Sequence, residues 1–343
     1  MRAVVARAGV VAPEDVEEPV PAAGEVLVAP IACGICGSDL HLVEAQASHP
    51  EMLPPLVLGH EFAAEVLDFG PATERRFQRG TVVTSVPYRD SPAGPQLIGL
   101  SPSATGGLAE RMVLQESRLL AAPAGMDAAR VAVAEPLAVG VHAVGAARLQ
   151  RGDTSLVVGC GPVGLAVIAA LKAAGHGPVV AADFSPVRRR LAETTGADVV
   201  LDPAATSPYE RWAELAGPAP LPSPLLDGPP PATTVAFECV GVPGILQSVI
   251  ASVPPHSRVV VVGVCNQPDT ITPVTAITKE LSLQFVFAYR PDEFARSLAW
   301  IVAGVVDVGP WITGTCGLDR VAAAFEQLRD PQQHAKILVT PSY

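Results

Sequence analysis

Between Thr154 and Leu171 the chain carries its most constraining feature: an apolar run, Thr154–Val158, meets Gly159-Cys160-Gly161-Pro162-Val163-Gly164 and continues as an apolar segment of helical length. Glycines at this spacing let a strand turn tightly into a helix and let backbone N–H groups approach a pyrophosphate held at the helix N-terminus. Taken alone, the pattern also suits an ordinary strand-to-helix turn. Its context narrows it, because Asp183 closes the next strand-like run about 20 residues on, where a carboxylate bonds both ribose hydroxyls of NAD and repels the 2′-phosphate of NADP. Arg188-Arg189-Arg190 follow and could hold that phosphate, but their simpler reading is the basic outer face of a helix, so NAD is expected over NADP.

Around that turn the sequence alternates strand and helix. Strands are predicted at Ser155–Val158, Pro178–Ala182, Thr234–Phe237, Arg258–Val262 and Leu281–Phe287, and helices at Val163–Ala174 and Val187–Thr195, with another starting near Pro243. Repeated strand-helix units imply a parallel sheet with right-handed crossovers. The first 110 or so residues read differently: short β-like runs at Ala3–Ala6, Glu25–Ile31, Phe62–Asp68 and Gly80–Val86, separated by Pro/Gly turns, with no long helix expected. The Pro-rich stretch from Gly217 to Pro231 reads as an exposed loop. No fixed-period repeat is present.

A length of 343 residues allows two domains, and 49% hydrophobic against 17% charged residues excludes disorder. The net charge of −11 repels polyanions, so no nucleic-acid partner is expected. The uncharged run after Thr154 is broken by glycines and Pro162, which favours a buried strand-turn-helix over a membrane span. The N-terminus makes a poor signal peptide. Six unevenly spaced cysteines do not form a disulfide framework, and the expected location is the reducing cytoplasm.

A second constellation lies upstream. Cys33-Gly34-Ile35-Cys36 leads into Gly37-Ser38-Asp39-Leu40-His41, and Gly59-His60-Glu61 follows. One C-x-x-C without a second argues against a structural four-cysteine zinc site, whereas a thiolate, an imidazole and carboxylates suit a catalytic zinc that keeps a position open. Each residue taken singly has a plainer reading: a core cysteine, a solvated histidine, a surface acid.

The segments CGICGSDLH (Cys33–His41), LGHEF (Leu58–Phe62), GGLAE (Gly106–Glu110), EPLAVGVHA (Glu135–Ala143), GCGPVG (Gly159–Gly164) and KEL (Lys279–Leu281) together resemble the zinc-dependent medium-chain alcohol/polyol dehydrogenases, in the family's order and along nearly the whole chain. The resemblance implies an α/β fold. A GroES-like β-rich catalytic domain would occupy residues 1–139 and 287–343, and a Rossmann doubly wound parallel-sheet cofactor domain residues 140–286. It also implies zinc ligands Cys36 and His60, with Glu61 and Glu135 sharing the remaining coordination, and Asp39 as the carboxylate that orients His60. Ser38 would receive the alcohol proton and His41 relay it. Cofactor contacts would come from Gly159, Gly161, Pro162, Val163, Gly164, Asp183, Arg188, Val240 and Gly263.

A glutamate at position 135 resembles the sorbitol, butanediol and related polyol branch, and an oxygen ligand leaves zinc more Lewis-acidic than a second thiolate would. Its plainer reading is an acidic residue starting a helix ahead of Pro136. Many relatives carry four cysteines in a structural-zinc lobe. Here Val86–Gly106 contains none, so a single catalytic zinc is expected. The activity implied is hydride transfer between a secondary alcohol or polyol and NAD, with a ketone as the oxidised partner, in a homodimer or homotetramer without membrane attachment. The alternatives are a dehydrogenase of a simple secondary alcohol, amino alcohol or cyclitol, a zinc-free enone or quinone reductase, and a non-catalytic protein on the same scaffold.

Overall fold

The computed structural model describes residues 1–51, 53–91, 94–217 and 234–341, so the expected Pro-rich loop lies, beyond Gly217, outside the described residues. The chain divides into two compact units, Met1–Glu135 with Phe294–Tyr343, and Pro136–Glu293. The divisions fall at 135/136 and 293/294, where the sequence placed them at 139/140 and 286/287.

In the first unit β1 (Arg2–Arg7) and β2 (Val10–Asp15) form an antiparallel hairpin that β4 (Leu56–Val57) extends. The long β3 (Glu25–Gly34) buries every second side chain over most of its length, as a strand with one face on a core must. After β3 the chain enters a helix that the sequence did not predict, α1 (Gly37–Ser48). Cys36 caps it in extended conformation, and Asp39 returns a carboxylate oxygen to the Cys36 N–H at 2.8 Å. Its fully buried side chains are Asp39, Val43 and Gln46, so most of its inward face is polar and no apolar period announces it. The described residues then form β5 (Glu61–Phe69), β6 (Val82–Ser85), β7 (Tyr88–Arg89), β8 (Gln96–Leu97), β9 (Met112–Gln115) and β10 (Leu119–Ala121), before α2 (Ala128–Ala132). The stretch Ala128–Ala146 is long and apolar enough to cross a membrane by length and composition alone, and 67% of its most apolar window is buried within the fold.

The second unit takes in most of α3 (Ala134–Ala146) and then alternates β11 (Thr154–Val158), α4 (Pro162–Ala173), β12 (Val179–Ala182), α5 (Pro186–Thr195), β13 (Val199–Leu201), α6 (Pro208–Ala216), β14 (Thr234–Glu238), α7 (Ile245–Ser252), β15 (Arg258–Val261), α8 (Pro273–Thr278) and β16 (Ser282–Phe285). All pairings are parallel, in the order β13-β12-β11-β14-β15-β16. This is the doubly wound dinucleotide-binding order, with its switch between β11 and β14. The strands are Val- and Ala-rich because helices cover both faces, and Leu156, Val180, Trp212, Ala236, Val249 and Val259 form its core. Residues Gly164–Leu171 of α4 are buried, and Gly140 on α3 lets the two helices touch, since a Cβ there would lie 2.3 Å from the Ala166 carbonyl carbon.

Helix α9 (Pro291–Val302) carries the chain back to the first unit, where β17 (Ile312–Cys316), α10 (Val321–Arg329) and β18 (Lys336–Val339) complete it. The main sheet runs β10-β6-β5-β3-β18-β17, with β9 also on β3. Strand β18 pairs antiparallel with the end of β3 through Leu338↔Gly34 and Val339↔Cys33, which sets the last strand beside the segment that opens α1. Phe62, Leu108, Met112, Phe325 and Ile337 fill the core beneath.

Candidate metal centre and dinucleotide turn

In the first unit, β3, β5 and β18 converge where α1 begins. Gly59 has a left-handed φ of 101°, and a side chain there would sit 2.7 Å from the Cys33 sulfur and 2.8 Å from the Leu108 nitrogen, so glycine alone lets β5 start close against β3. His60 and Glu61 then face the N-terminus of α1. The Cys36 sulfur, a His60 ring nitrogen and a Glu61 carboxylate oxygen lie within 4.8 Å of one another. Ser38 Oγ is 3.3 Å from His60 Nε2, and on the far side of the ring Nδ1 faces Asp39 Oδ1 at 3.6 Å. Both of those last atoms are buried without a hydrogen-bond partner.

Burial by itself would lower the His60 pKa, but the charges of Asp39 and Cys36 outweigh it and hold the metal-free imidazole well above its ordinary value. Cys33 is a different kind of cysteine: fully buried, desolvated and facing Asp39 and Glu61, it has its thiol pKa pushed far up. It packs in the core and stands outside the donor group.

Lys336, which the sequence reading missed, bonds both Glu61 oxygens at 2.7 Å and the Ile35 carbonyl at 3.1 Å, with its side chain 2% exposed. Burial would depress its pKa, yet Glu61, Cys36 and Glu135 together raise it, so it remains an ammonium. A lone cation inside the apolar run Ala335–Val339 was the available signal. Glu135, in the first turn of α3, contributes to that field but lies outside the 4.8 Å group. His41 sits on α1 with Nδ1 3.7 Å from Glu44 Oε2.

Thiolate, imidazole and carboxylate at these separations suit a tetrahedral zinc with bonds of about 2.0–2.3 Å, and a buried carboxylate behind the imidazole is what fixes the ligating tautomer. The donor set therefore fits the ion. The lobe that lacks cysteines is held by other means: the Arg118 guanidinium stacks 4.1 Å over the Tyr88 ring and pairs with Asp90 at 2.5 Å, while Arg89 joins Glu25 to the Ser103 carbonyl.

In the second unit, the turn after β11 meets the geometric demands of a pyrophosphate cradle. Gly159 has φ of 89°, and a Cβ on Gly164 would lie 1.9 Å from the Gly159 oxygen. Gly161 caps α4, and Pro162 opens it. Asp183 accepts from the N–H of Cys160 and of Ser185, each at 2.8 Å, which aims its carboxylate across the turn. Arg188 lies over Gly161, with its Nε buried and without a hydrogen-bond partner. Arg189 is committed elsewhere, to the Asp183 and Phe184 carbonyls and to Asp202. Val240 and Gly263 follow β14 and β15; both are tied to Glu238, a residue absent from the sequence reading.

Both parts of the chain match known families. The family described as an alcohol dehydrogenase GroES-like domain matches residues 22–124, and the family described as zinc-binding dehydrogenase matches residues 162–303. The chain is 31% identical to the (R,R)-butanediol dehydrogenase of Bacillus subtilis (strain 168), over 96% of each chain. It is 30% identical to the sorbitol dehydrogenase of Ovis aries, over 90% of this chain and 87% of that one. A solved structure from Sinorhizobium meliloti 1021 bound to NADP superposes with a TM-score of 0.83 at 27% identity, covering 99% of each chain.

Proposed function

Since the chain belongs to the zinc-dependent medium-chain alcohol and polyol dehydrogenases, oxidoreductases acting on CH–OH donors, we propose that it transfers the carbinol hydride of a diol or polyol to NAD. The observation that carries this reading is the grouping of Cys36, His60 and Glu61 within 4.8 Å, with the Ser38 hydroxyl against His60. When bound, zinc supplies Lewis acidity toward the alcohol oxygen, and the dinucleotide supplies the hydride acceptor. Cys36 and His60 hold the ion, Glu61 and Glu135 share the carboxylate role, and Asp39 keeps the His60 ring oriented. Ser38 takes the alcohol proton, because a hydroxyl both accepts and donates, and His41 passes it outward.

The preference for NAD is supported by the two backbone amides that fix Asp183 where a 2′-phosphate would meet it, and by the commitment of Arg189 to other partners. A single zinc per chain is supported by the cysteine-free lobe and its Arg118–Tyr88 and Arg118–Asp90 contacts. For assembly, the reading is a homodimer across β16. Among the described residues that strand ends the parallel sheet, its outer edge can pair with its own copy, and Phe285 and Phe287 beside it are 62% and 79% exposed. A cytoplasmic location is part of the same proposal, in keeping with six free cysteines.

The decisive test is turnover of a panel of vicinal diols, polyols and simple alcohols by zinc-loaded protein with NAD, followed by NADH absorbance. Oxidation of diols or polyols above simple primary alcohols supports the proposal, and failure to oxidise any of them overturns it.

A further inference from the structure

Glu238, the last residue of β14, is 3% exposed, and no Lys, Arg or His among the described residues comes within ion-pair distance of it. Among the described residues its side chain takes its hydrogen bonds from backbone amides: Oε1 accepts from the N–H of Val240 at 2.7 Å and of Gly241 at 2.8 Å. Its carbonyl accepts from Val262 and Gly263, both at 2.9 Å, so one residue joins the ends of β14 and β15. The packing there is tight, since a Cβ on Gly263 would lie 2.4 Å from the Gly241 nitrogen. A buried carboxylate without a cation costs stability, and neutral amides offset only part of that cost. Folding alone therefore gives no reason for the charge.

Its position supplies one. Glu238 is in register with Val158, the residue before the glycine turn, and β14 is the first strand beyond the switch point. A dinucleotide lies across that crevice with one mononucleotide on each side. Asp183 on the β12 side marks the adenosine half, so the nicotinamide half falls on the side of β14 and β15. The nicotinamide ring is cationic when oxidised and neutral when reduced.

We propose that Glu238 is the fixed counter-charge for the oxidised nicotinamide ring, stabilising the cationic cofactor over the reduced one while its amide bonds hold Val240 and Gly241 in place. The proposal rests on the dehydrogenase reading above and deepens it: Glu238 is a positioning residue that sets the redox preference of the bound cofactor.

The test uses the full-length, zinc-loaded protein and calorimetric dissociation constants for NAD and NADH. Glu238→Gln keeps an acceptor oxygen and removes the charge. It should weaken NAD binding relative to NADH by about tenfold, ~1.4 kcal/mol. Glu238→Asp keeps the charge and should hold the ratio within about threefold of wild type. Parallel weakening of both cofactors by Glu238→Gln, or no change, overturns the proposal. If Glu238→Gln is recovered unfolded, Glu238→Asp alone decides: a ratio held within about threefold supports the proposal, and a larger move overturns it. Wild-type protein that binds neither cofactor overturns the dehydrogenase reading and this inference together; normal wild-type binding with parallel shifts overturns the inference alone.

Discussion

Replacing Lys336 with methionine, which keeps the length of the side chain and deletes the charge, probes a fully buried ion pair of the first unit. Both partners are at most 2% exposed, and the ammonium contacts both Glu61 oxygens at 2.7 Å as well as the Ile35 carbonyl. Removing one member of such a pair leaves an uncompensated buried carboxylate and costs about 3–5 kcal/mol. At about 2–4 °C per kcal/mol for a unit of this size, the melting temperature of zinc-free protein should fall by about 6–20 °C. Lys336→Met combined with Glu61→Gln should recover much of the loss, because no charge is then stranded. Added zinc should also recover part of it, since a cation again faces Glu61, and zinc should bind Lys336→Met more tightly than wild type. The Lys336 pKa is raised above 10.5 in the folded, metal-free state, so this stabilisation is complete below that value and fades as pH rises through the folded pKa. Melts at pH 7 and pH 9 should therefore show the same loss. A cost under about 1 kcal/mol, the range of exposed pairs, would refute the argument.

Cys36→Ser should cut turnover by at least roughly 100-fold and lower bound zinc by elemental analysis, while NAD affinity stays as in wild type; retained turnover refutes the zinc assignment. Asp183→Gly deletes a charged acceptor worth about 1.5–3 kcal/mol, so NAD binding should weaken by roughly 10–150-fold with NADP affected less. An unchanged cofactor ratio would mean another residue reads the ribose. Phe285→Asp places a charge on the open edge beside β16 and should yield monomers by analytical ultracentrifugation; an unchanged oligomer would place the interface elsewhere.

The second unit was the more legible in sequence because its determinants are local. Each of β11, β12, β14 and β15 is a short Val- or Ala-rich run ended by a turn, and Gly159, Gly164 and Asp183 lie within one strand-helix-strand unit. The structure trims the expected Leu281–Phe287 strand to Ser282–Phe285 and starts the helix after Pro243 at Ile245. The first unit was less legible. Helix α1 escaped because Asp39 and Gln46 take two of its three fully buried positions, where apolar residues would have produced a period. Lys336 escaped because its partner Glu61 is 275 residues away, and nothing within the run Ala335–Val339 identifies that partner. Glu238 was hidden by its strand, in which an acid after four buried residues reads as a strand end reaching solvent.

The closure of the main sheet by β18 has a consequence for biosynthesis. The residues that group at the metal centre leave the ribosome before β18, so the Glu61 carboxylate waits for a counter-ion encoded 275 positions later. At about 5–20 residues per second that interval is roughly 14–55 s. During it the nascent chain exposes Cys36, His60 and Glu61 without the strand that shields them. A free zinc ion then meets no competing ammonium at Glu61, and a chain cut before β18 would keep that condition permanently.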